Sequence, residues 1–273
     1  MAPLIAGTAW KKLAKTTMAP RGLKKALRDT APCKLVGSGI TKHFEVKAAG
    51  TRRGVRLKGL TKRLQSQIFS DGELPSIAKS SATPAGGHWR GPGGGRRRGS
   101  AVDAQVSRLA GVSADKRFGS KMLNLTRMVF AALSTRGLEP IMGQRAVCSQ
   151  LHRLGTAVDI LCHDAENRAV VVVELKCGHS GARTAAALKS GKACSMKSPL
   201  GKAADSTLHR HLAQLAVTHH LLNREKETTK KLFNMGIESV NGILMYANDS
   251  GVDVYTLSHW WIAKAPKIIE KIR

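Results

Sequence analysis

The chain is most constrained by the stretch from residue 154 to residue 178, LGTAVDILCHDAENRAVVVVELKCG. Residues 154–163 and 168–177 are two apolar segments with the length and the β-branched content of strands. The polar turn DAEN between them allows a hairpin. The second segment stays apolar until it reaches Glu174 and Lys176. This pattern predicts a buried strand that ends in a pair of opposite charges.

The register of this hairpin decides where its charged side chains meet. Side chains alternate along a strand, so Glu174 and Lys176 share one face and lie about 7 Å apart. If His163 pairs with Arg168, Asp159 falls on that same face, diagonal to Glu174. A register shifted by one residue would turn Asp159 to the opposite face. The site is therefore a prediction about strand pairing.

Two carboxylates beside an ammonium group form an oxygen-rich site of the kind that binds Mg²⁺ or Mn²⁺. Such an ion polarises a phosphoryl oxygen and lowers the pKa of a bound water. Lys176 can orient that water, stabilise charge on the phosphate, or act as a base if its pKa is lowered. The alternative is a structural salt bridge between Glu174 and Lys176. The four valines before Glu174 favour the metal site, because a fully apolar strand has little reason to end in charges on one face.

The charge of the chain indicates a polyanionic partner. Lys and Arg number 45 against 18 Asp and Glu, which gives a net charge of +27. Nucleic acid is the commonest partner of so basic a chain, and an anionic membrane or an acidic protein is the alternative. No apolar run in the sequence reaches the roughly 18 residues that a membrane span needs, so we expect no membrane insertion.

Cysteine usage and the N-terminus bear on the compartment. The five cysteines are odd in number, scattered and without a CxxC pair, which predicts reduced thiols and no zinc site. The N-terminal residues lack the apolar segment of a secretory signal. We expect an intracellular protein that is not secreted; the nucleus, an organelle and a viral or phage context all stay open.

Composition divides the chain into a basic N-terminal extension (1–79), a Gly/Arg-rich linker (80–100) and an α/β domain (101–273). We expect the extension to be partly disordered. Residues 1–28 contain no Asp or Glu, and Asp29 is the first acid of the chain. This composition is typical of a basic arm or of an organellar transit peptide. The linker is interpreted either as a solubilising tail or as a contact to the phosphate backbone through three consecutive arginines, Arg96, Arg97 and Arg98.

Ordered structure is predicted to begin at Ala101. Apolar periodicity then predicts, in order, a helix at 116–136, a strand at 140–149, the two hairpin strands, a helix at 205–224 and a strand at 240–247. The basic loop at 178–204 directly follows the predicted site. We expect it to hold a nucleic-acid backbone with side chains that include Arg183, Lys189 and Lys192.

Asp159 followed by Glu174, Leu175 and Lys176 at the end of an apolar strand resembles the motif of the PD-(D/E)xK nuclease superfamily. Val158 stands where the family usually has proline. The resemblance implies a restriction-endonuclease-like core of helix, three strands, helix and strand, and Mg²⁺- or Mn²⁺-dependent hydrolysis of phosphodiester bonds, with DNA favoured over RNA. It also implies that Asp159, Glu174 and the Leu175 carbonyl bind the metal, while Lys176 activates or positions water.

Gln214 resembles the helix glutamine of the RecB and lambda-exonuclease-like branch, which lies near the active site and orients a ligand or the phosphate. Thr218 stands where that branch usually has tyrosine, and an ordinary solvated position for Gln214 is the alternative. Many family members add an acid or His from the first helix, but the helix predicted at 116–136 has none. Asp103, Asp115 and His152 are candidates among which spacing does not choose.

Two further interpretations of the sequence stay open. The chain fits a non-catalytic nucleic-acid-binding or packaging protein on an inherited nuclease fold, because its charge and Gly/Arg linker suit binding alone. It also fits a repair or recombination nuclease within a complex or homo-oligomer, with Trp260 and Trp261 as the protein contact. The sequence does not decide between endonuclease and exonuclease, nor does it set sequence specificity or strand polarity.

Overall fold

The computed structural model describes residues 19, 22–37, 43–47, 54–70, 94–118, 120–177, 194–249 and 251–273. Within them the chain has a mixed α/β fold with one eight-stranded sheet and eight helices. None of the described helices is long and apolar enough to cross a membrane. The expectations for residues 1–18, including the arm and the transit peptide, lie outside the described residues, as does most of the basic loop.

The strands of the sheet are β1 (Lys34–Val36), β2 (His43–Lys47), β3 (Gly54–Gly59), β4 (Leu138–Ser149), β5 (Leu154–Asp164), β6 (Ala169–Cys177), β7 (Ser239–Asn248) and β8 (Gly251–Thr256). The helices are α1 (Leu23–Asp29), α2 (Leu60–Gln67), α3 (Gly94–Leu109), α4 (Ala114–Phe118), α5 (Asn124–Ser134), α6 (Thr207–Asn223), α7 (Lys226–Asn234) and α8 (His259–Ile272).

The centre of the sheet is an antiparallel run of β4, β5 and β6, followed by β7 parallel to β6 and by β8 antiparallel to β7. The helix α6 lies in the connection between β6 and β7, as a parallel pair requires. At the other side, β3 runs parallel to the first residues of β5 and leads to β2 and β1.

The strand β6 is buried on both faces, as its apolar run predicts. Val170 and Val172 pack in the core that α1, α2, α6 and α8 share. Val171 and Val173 pack in a second core on the opposite face, with α3 and α5. Because side chains alternate, Glu174 continues the row that faces α6.

The pairing of β5 with β6 differs from the predicted register. His163 lies opposite Val170, so the predicted pairing with Arg168 is wrong by two residues. The ladder between the two strands ends at the pair of Ile160 with Val173, so Asp159 lies one residue beyond it. The alternation of β5 is interrupted here, because Val158 and Leu161 both pack in the core that faces α6.

The shift has a local cause in the turn. The Asp164 carboxylate accepts hydrogen bonds from the Asn167 backbone N–H at 3.0 Å and from Asn167 Nδ2 at 2.8 Å. Arg168 then takes a left-handed φ of 49°. These contacts hold a four-residue turn at 165–168, one residue later along the chain than the turn predicted at 164–167, because an Asp side chain that bonds to the backbone stabilises turn geometry.

Several predicted element boundaries are corrected by the structure. Ordered helix begins at Gly94 rather than at Ala101. The single helix predicted at 116–136 is wrong: α4 ends where the Ser120 hydroxyl donates to the Arg117 carbonyl, and α5 starts at Asn124. The helix predicted at 205–224 is confirmed as α6, which Ser206 caps by accepting from the His209 N–H at 3.2 Å.

The described part of the N-terminal extension is built into the fold. The leucines of α1 and α2 are almost fully buried in the core that faces α6, and β3 joins the sheet through Lys58 opposite Leu154 and Gly59 opposite Gly155. The C-terminal residues form α8, which packs in the same core. The boundaries at residues 79 and 100 stay predictions, but α1 and α2 share this core with the domain.

Candidate active site

The strand β5 changes its neighbour along its length. From Ile160 onward it pairs with β6, whereas Leu154 and Gly155 pair with β3. In the interval, the Asp159 carboxylate reaches across to β6 and accepts a hydrogen bond from the Leu175 N–H at 2.8 Å. A side chain thus satisfies a backbone donor at the point where the two strands diverge. This bond fixes Asp159 beside the charged end of β6.

Glu174 and Lys176 contact each other where β5 and β6 diverge. Lys176 Nζ donates to Glu174 Oε1, and Glu174 is buried while the Lys176 side chain remains 22% exposed. Lys176 Nζ also lies 3.4 Å from Gln214 Oε1 on α6. The structure therefore places Gln214 at the Lys176 ammonium group. Its contribution to function stays a prediction.

A second amide, which the sequence analysis did not single out, completes the other side of the site. Gln144 Nε2 donates to Asp103 Oδ1 at 3.0 Å and lies 3.4 Å from Asp159 Oδ1. Gln144 has a left-handed φ of 51° within β4, a conformation that a residue other than glycine adopts at an energetic cost. No local sequence pattern marks this residue, because its strain depends on contacts with α3 and β5.

Of the three candidates Asp103, Asp115 and His152, the structure brings Asp103 to the site. It lies on α3, and its charge acts on both Glu174 and Lys176. His152 lies instead in the turn between β4 and β5, where its Nδ1 is 2.8 Å from Ser149 Oγ. Asp115 belongs to the short helix α4. A helix therefore does supply an acid to the site, but this helix is α3 and not the helix predicted at 116–136.

The electrostatics of the site follow from burial and from an excess of acids. Burial raises the pKa of Asp159, against the opposing effects of Lys176, the Leu175 N–H and Gln144. Burial and the Asp159 charge raise the pKa of Glu174 to about 7, although Lys176 opposes them. Burial alone would lower the pKa of Lys176, but the surrounding acids outweigh it and raise that pKa. Three carboxylates thus surround one ammonium group.

This donor set suits a hard divalent cation in its chemistry. Carboxylate oxygens are the ligands that Mg²⁺ and Mn²⁺ prefer, and a cation would balance the negative charge of these buried acids, whose pKa values are raised mainly by burial. As they stand, however, Glu174 faces Lys176 and Asp159 faces the Leu175 N–H. Among the described residues, no three His, Cys, Asp or Glu side chains are drawn together tightly enough to hold a metal ion. Binding would therefore require these carboxylates to turn.

The predicted nucleic-acid contacts are placed only in part. Arg98 is buried on α3, with Nη1 at 3.0 and 3.1 Å from the two Asp249 carboxylate oxygens. A phosphate would have to compete with Asp249 for that guanidinium, so Arg98 holds the fold in addition to any contact with a ligand. Arg97 is exposed on the same helix. The predicted contacts Arg183, Lys189 and Lys192 lie outside the described residues.

The chain was compared with known proteins at the level of family models, of sequences and of solved structures. No family model, no curated protein and no solved structure matches it. The resemblance to the PD-(D/E)xK nucleases accordingly rests on the sequence motif and stays a prediction.

Proposed function

We propose that this chain is a metal-dependent nuclease that hydrolyses phosphodiester bonds of DNA. The observation that carries the proposal is the meeting of Asp159, Glu174 and Lys176 where β5 and β6 diverge. Asp103 approaches them from α3 and Gln214 from α6, which pack on opposite faces of the sheet. Acids and amides from four separate elements thus converge on a single lysine.

The arrangement of the sheet supports a restriction-endonuclease-like core. The helix α5 precedes three antiparallel strands, and α6 and a further helix, α7, then lead to a strand parallel to the third one. Apart from α7, this is the order of elements that the resemblance implies. The third strand carries Glu174 and Lys176 at its end, and the following helix carries Gln214, which matches the places where the family motif would lie.

Asp159 and Glu174, joined by Asp103 and the Leu175 carbonyl, are the groups that would hold Mg²⁺ or Mn²⁺. A bound ion of this kind polarises the phosphoryl oxygen and lowers the pKa of water. Lys176 is held between Glu174 and Gln214 and keeps its charge because the surrounding acids raise its pKa. We therefore assign Lys176 to positioning water and stabilising charge on the phosphate, rather than to acting as a base.

A purely structural salt bridge explains the site less well. One acid suffices to pair with one buried lysine, and each further buried carboxylate adds desolvation cost and like-charge repulsion. Asp159 and Asp103 are such surplus acids. Gln144 also keeps a strained backbone conformation in order to contact both of them, and strained residues cluster at functional sites.

Non-catalytic binding is the second candidate function. The net charge of +27 favours binding as much as it favours a nuclease. The contact of Lys176 with Glu174 also forms without any substrate. A binding or packaging protein does not need buried acids facing a phosphate, however. Catalysis is therefore what separates the two candidates.

The test is a cleavage assay with end-labelled linear DNA and with circular DNA, in Mg²⁺, in Mn²⁺ and in EDTA. We expect metal-dependent cleavage that Asp159→Asn abolishes and that Glu166→Gln, an exposed acid in the turn after β5, leaves intact. Cleavage of circles would identify an endonuclease. Tight, salt-sensitive binding without cleavage under either metal would replace the nuclease by the binding protein.

A further inference from the structure

A basic pocket lies at the opposite end of β5 from its turn with β6. It has a volume of about 640 Å³ and is formed by β3, α2, the turn between β4 and β5, and the C-terminal residue. Five basic residues of β3, α2 and the turn line it: Arg56, Lys58, Lys62, Arg63 and Arg153. No Asp or Glu side chain is among the described residues that line the pocket. A concave surface in which one sign of charge predominates concentrates the field and attracts the opposite charge.

The cations of this pocket differ from three of the arginines elsewhere in the described part of the fold. Arg98, Arg145 and Arg210 each form an ion pair with a nearby acid. In the pocket, by contrast, none of four cations forms an ion pair with an acid of the described residues: Arg56, Lys58, Lys62 and Arg153. Gathering like charges in one cavity is unfavourable, so a bound anion would stabilise this arrangement.

Arg63 shows that the pocket extends below the surface. It is only 9% exposed. Its Nη1 donates to the Ile272 carbonyl of α8, whereas its Nε has no partner among the described residues. A buried guanidinium without an acid beside it is costly. Its position at the floor of a cavity lined by cations is explained if the cavity holds an anion.

The backbone holds the two sides of the pocket together. Arg153 takes a left-handed φ of 49° in the turn between β4 and β5, and its carbonyl accepts a hydrogen bond from the Lys58 N–H at 2.9 Å. The cations from β3 and those from the turn are therefore fixed relative to each other before any ligand binds. Such preorganisation lowers the cost of binding.

We propose that this pocket binds a phosphate group of the nucleic-acid strand whose scissile bond lies at Asp159. The inference deepens the proposed function and rests on nucleic acid being the partner. Arginine and lysine together suit phosphate, because guanidinium groups bind its oxygens in pairs while ammonium groups add charge. The pocket is separate from the acids of the candidate active site.

The position of the pocket sets the distance between the two sites. Gly59 of the pocket lies opposite Gly155, and Asp159 is four residues further along β5, which corresponds to about 13 Å of strand. One strand of a DNA duplex advances about 3.4 Å per nucleotide along the helix axis, and successive phosphates lie farther apart than this because the backbone winds around the axis. The pocket therefore receives a phosphate a few nucleotides from the scissile one.

The experiment measures binding of fluorescent DNA oligonucleotides by anisotropy in EDTA, as a function of salt, so that no cleavage is needed. The pocket variant is Arg56→Gln with Lys62→Gln, two exposed side chains. The matched control is Lys230→Gln with Lys231→Gln, two exposed lysines on α7 that remove the same charge. We expect the salt slope of the pocket variant to fall by about one unit for each phosphate that the variant no longer binds, and the control to follow the wild type.

A second arm compares thermal stability in inorganic phosphate with that in chloride at equal ionic strength. We expect phosphate to stabilise the wild type and the control, and to stabilise the pocket variant less. Equal DNA affinity and salt slope in the two double variants would overturn the proposal. Phosphate stabilisation without a change in DNA binding would also overturn it, in favour of a small phosphate-bearing ligand.

The outcome for the pocket is distinguishable from the outcome for the active site. Pocket-dependent DNA binding without cleavage in Mg²⁺ or Mn²⁺ would support the pocket and refute the nuclease. Cleavage that Asp159→Asn abolishes, together with DNA binding that the pocket substitutions leave unchanged, would support the nuclease and refute the pocket.

Discussion

Two buried ion pairs of this fold look alike in isolation but have opposite surroundings. Arg145 and Glu225 lie 2.6 Å apart, with side chains only 1% and 6% exposed. Arg145 Nε also donates to the Leu27 carbonyl at 2.8 Å, and its Nη2 donates to Thr228 Oγ1 at 3.0 Å. One acid meets one base, and the remaining partners are neutral. This pair joins α1, β4 and α7.

The pair of Lys176 and Glu174 has no such balance. Asp159 and Asp103 add negative charge, and the Lys176 side chain is partly open to solvent. A balanced, closed pair stabilises the fold and has no capacity for a further ion. An unbalanced, partly open pair can accept a cation and a substrate. The comparison teaches that the surplus of acids, rather than the burial of the pair, indicates function.

The largest expected effect comes from breaking the balanced pair. Glu225→Gln leaves Arg145 buried without an acid, and removal of one partner from a buried ion pair costs about 3–5 kcal/mol. Urea unfolding measures the loss in free energy of unfolding. Metal-dependent cleavage per folded molecule should stay at the level of the wild type. A loss below about 1 kcal/mol would remove the structural role assigned to this pair.

The corresponding substitution in the pair of Lys176 and Glu174 should reduce cleavage and leave stability almost unchanged. Glu174→Gln removes one of three acids, while Asp159 and Gln214 remain beside Lys176, so we expect the free energy of unfolding to change by less than about 1 kcal/mol. Cleavage should fall to background, because a proposed metal ligand is removed. Unfolding and cleavage are measured on the same preparation. A strongly destabilised protein would make Glu174 a structural residue like Glu225.

A smaller effect is expected at Gln144, which serves the unbalanced pair through Asp103 and Asp159. Gln144→Gly and Gln144→Ala both remove the amide, so both should reduce cleavage, by roughly tenfold. Only glycine relieves the left-handed backbone, so it should be more stable than alanine by about 1 kcal/mol. Full cleavage in both variants would restrict Gln144 to a role in folding.

The features of the fold and the site that the sequence could predict are those set by residues close together in the chain. The hairpin, the meeting of Asp159 with the charged end of β6, and the helix that carries Gln214 follow from strand and helix periodicity over a few residues. The two-residue shift in register did not, because it depends on the contact between Asp164 and Asn167 in the turn.

Long-range contacts explain the rest. Asp103 could not be chosen over Asp115 and His152, because its place at the site depends on how α3 packs against the sheet. The strained Gln144 has no sequence signature for the same reason. The burial of α1 was hidden by the basic composition around its leucines.

The central claim is that the surplus acids around Lys176 bind a divalent cation, and calorimetric titration with Mn²⁺ tests it most directly. The proteins compared are the wild type, Asp159→Asn and the exposed-acid control Glu166→Gln. We expect the wild type and the control to bind Mn²⁺ equally and Asp159→Asn to bind it about 10–100-fold more weakly. Equal binding by all three proteins, or no binding by the wild type, would contradict the claim.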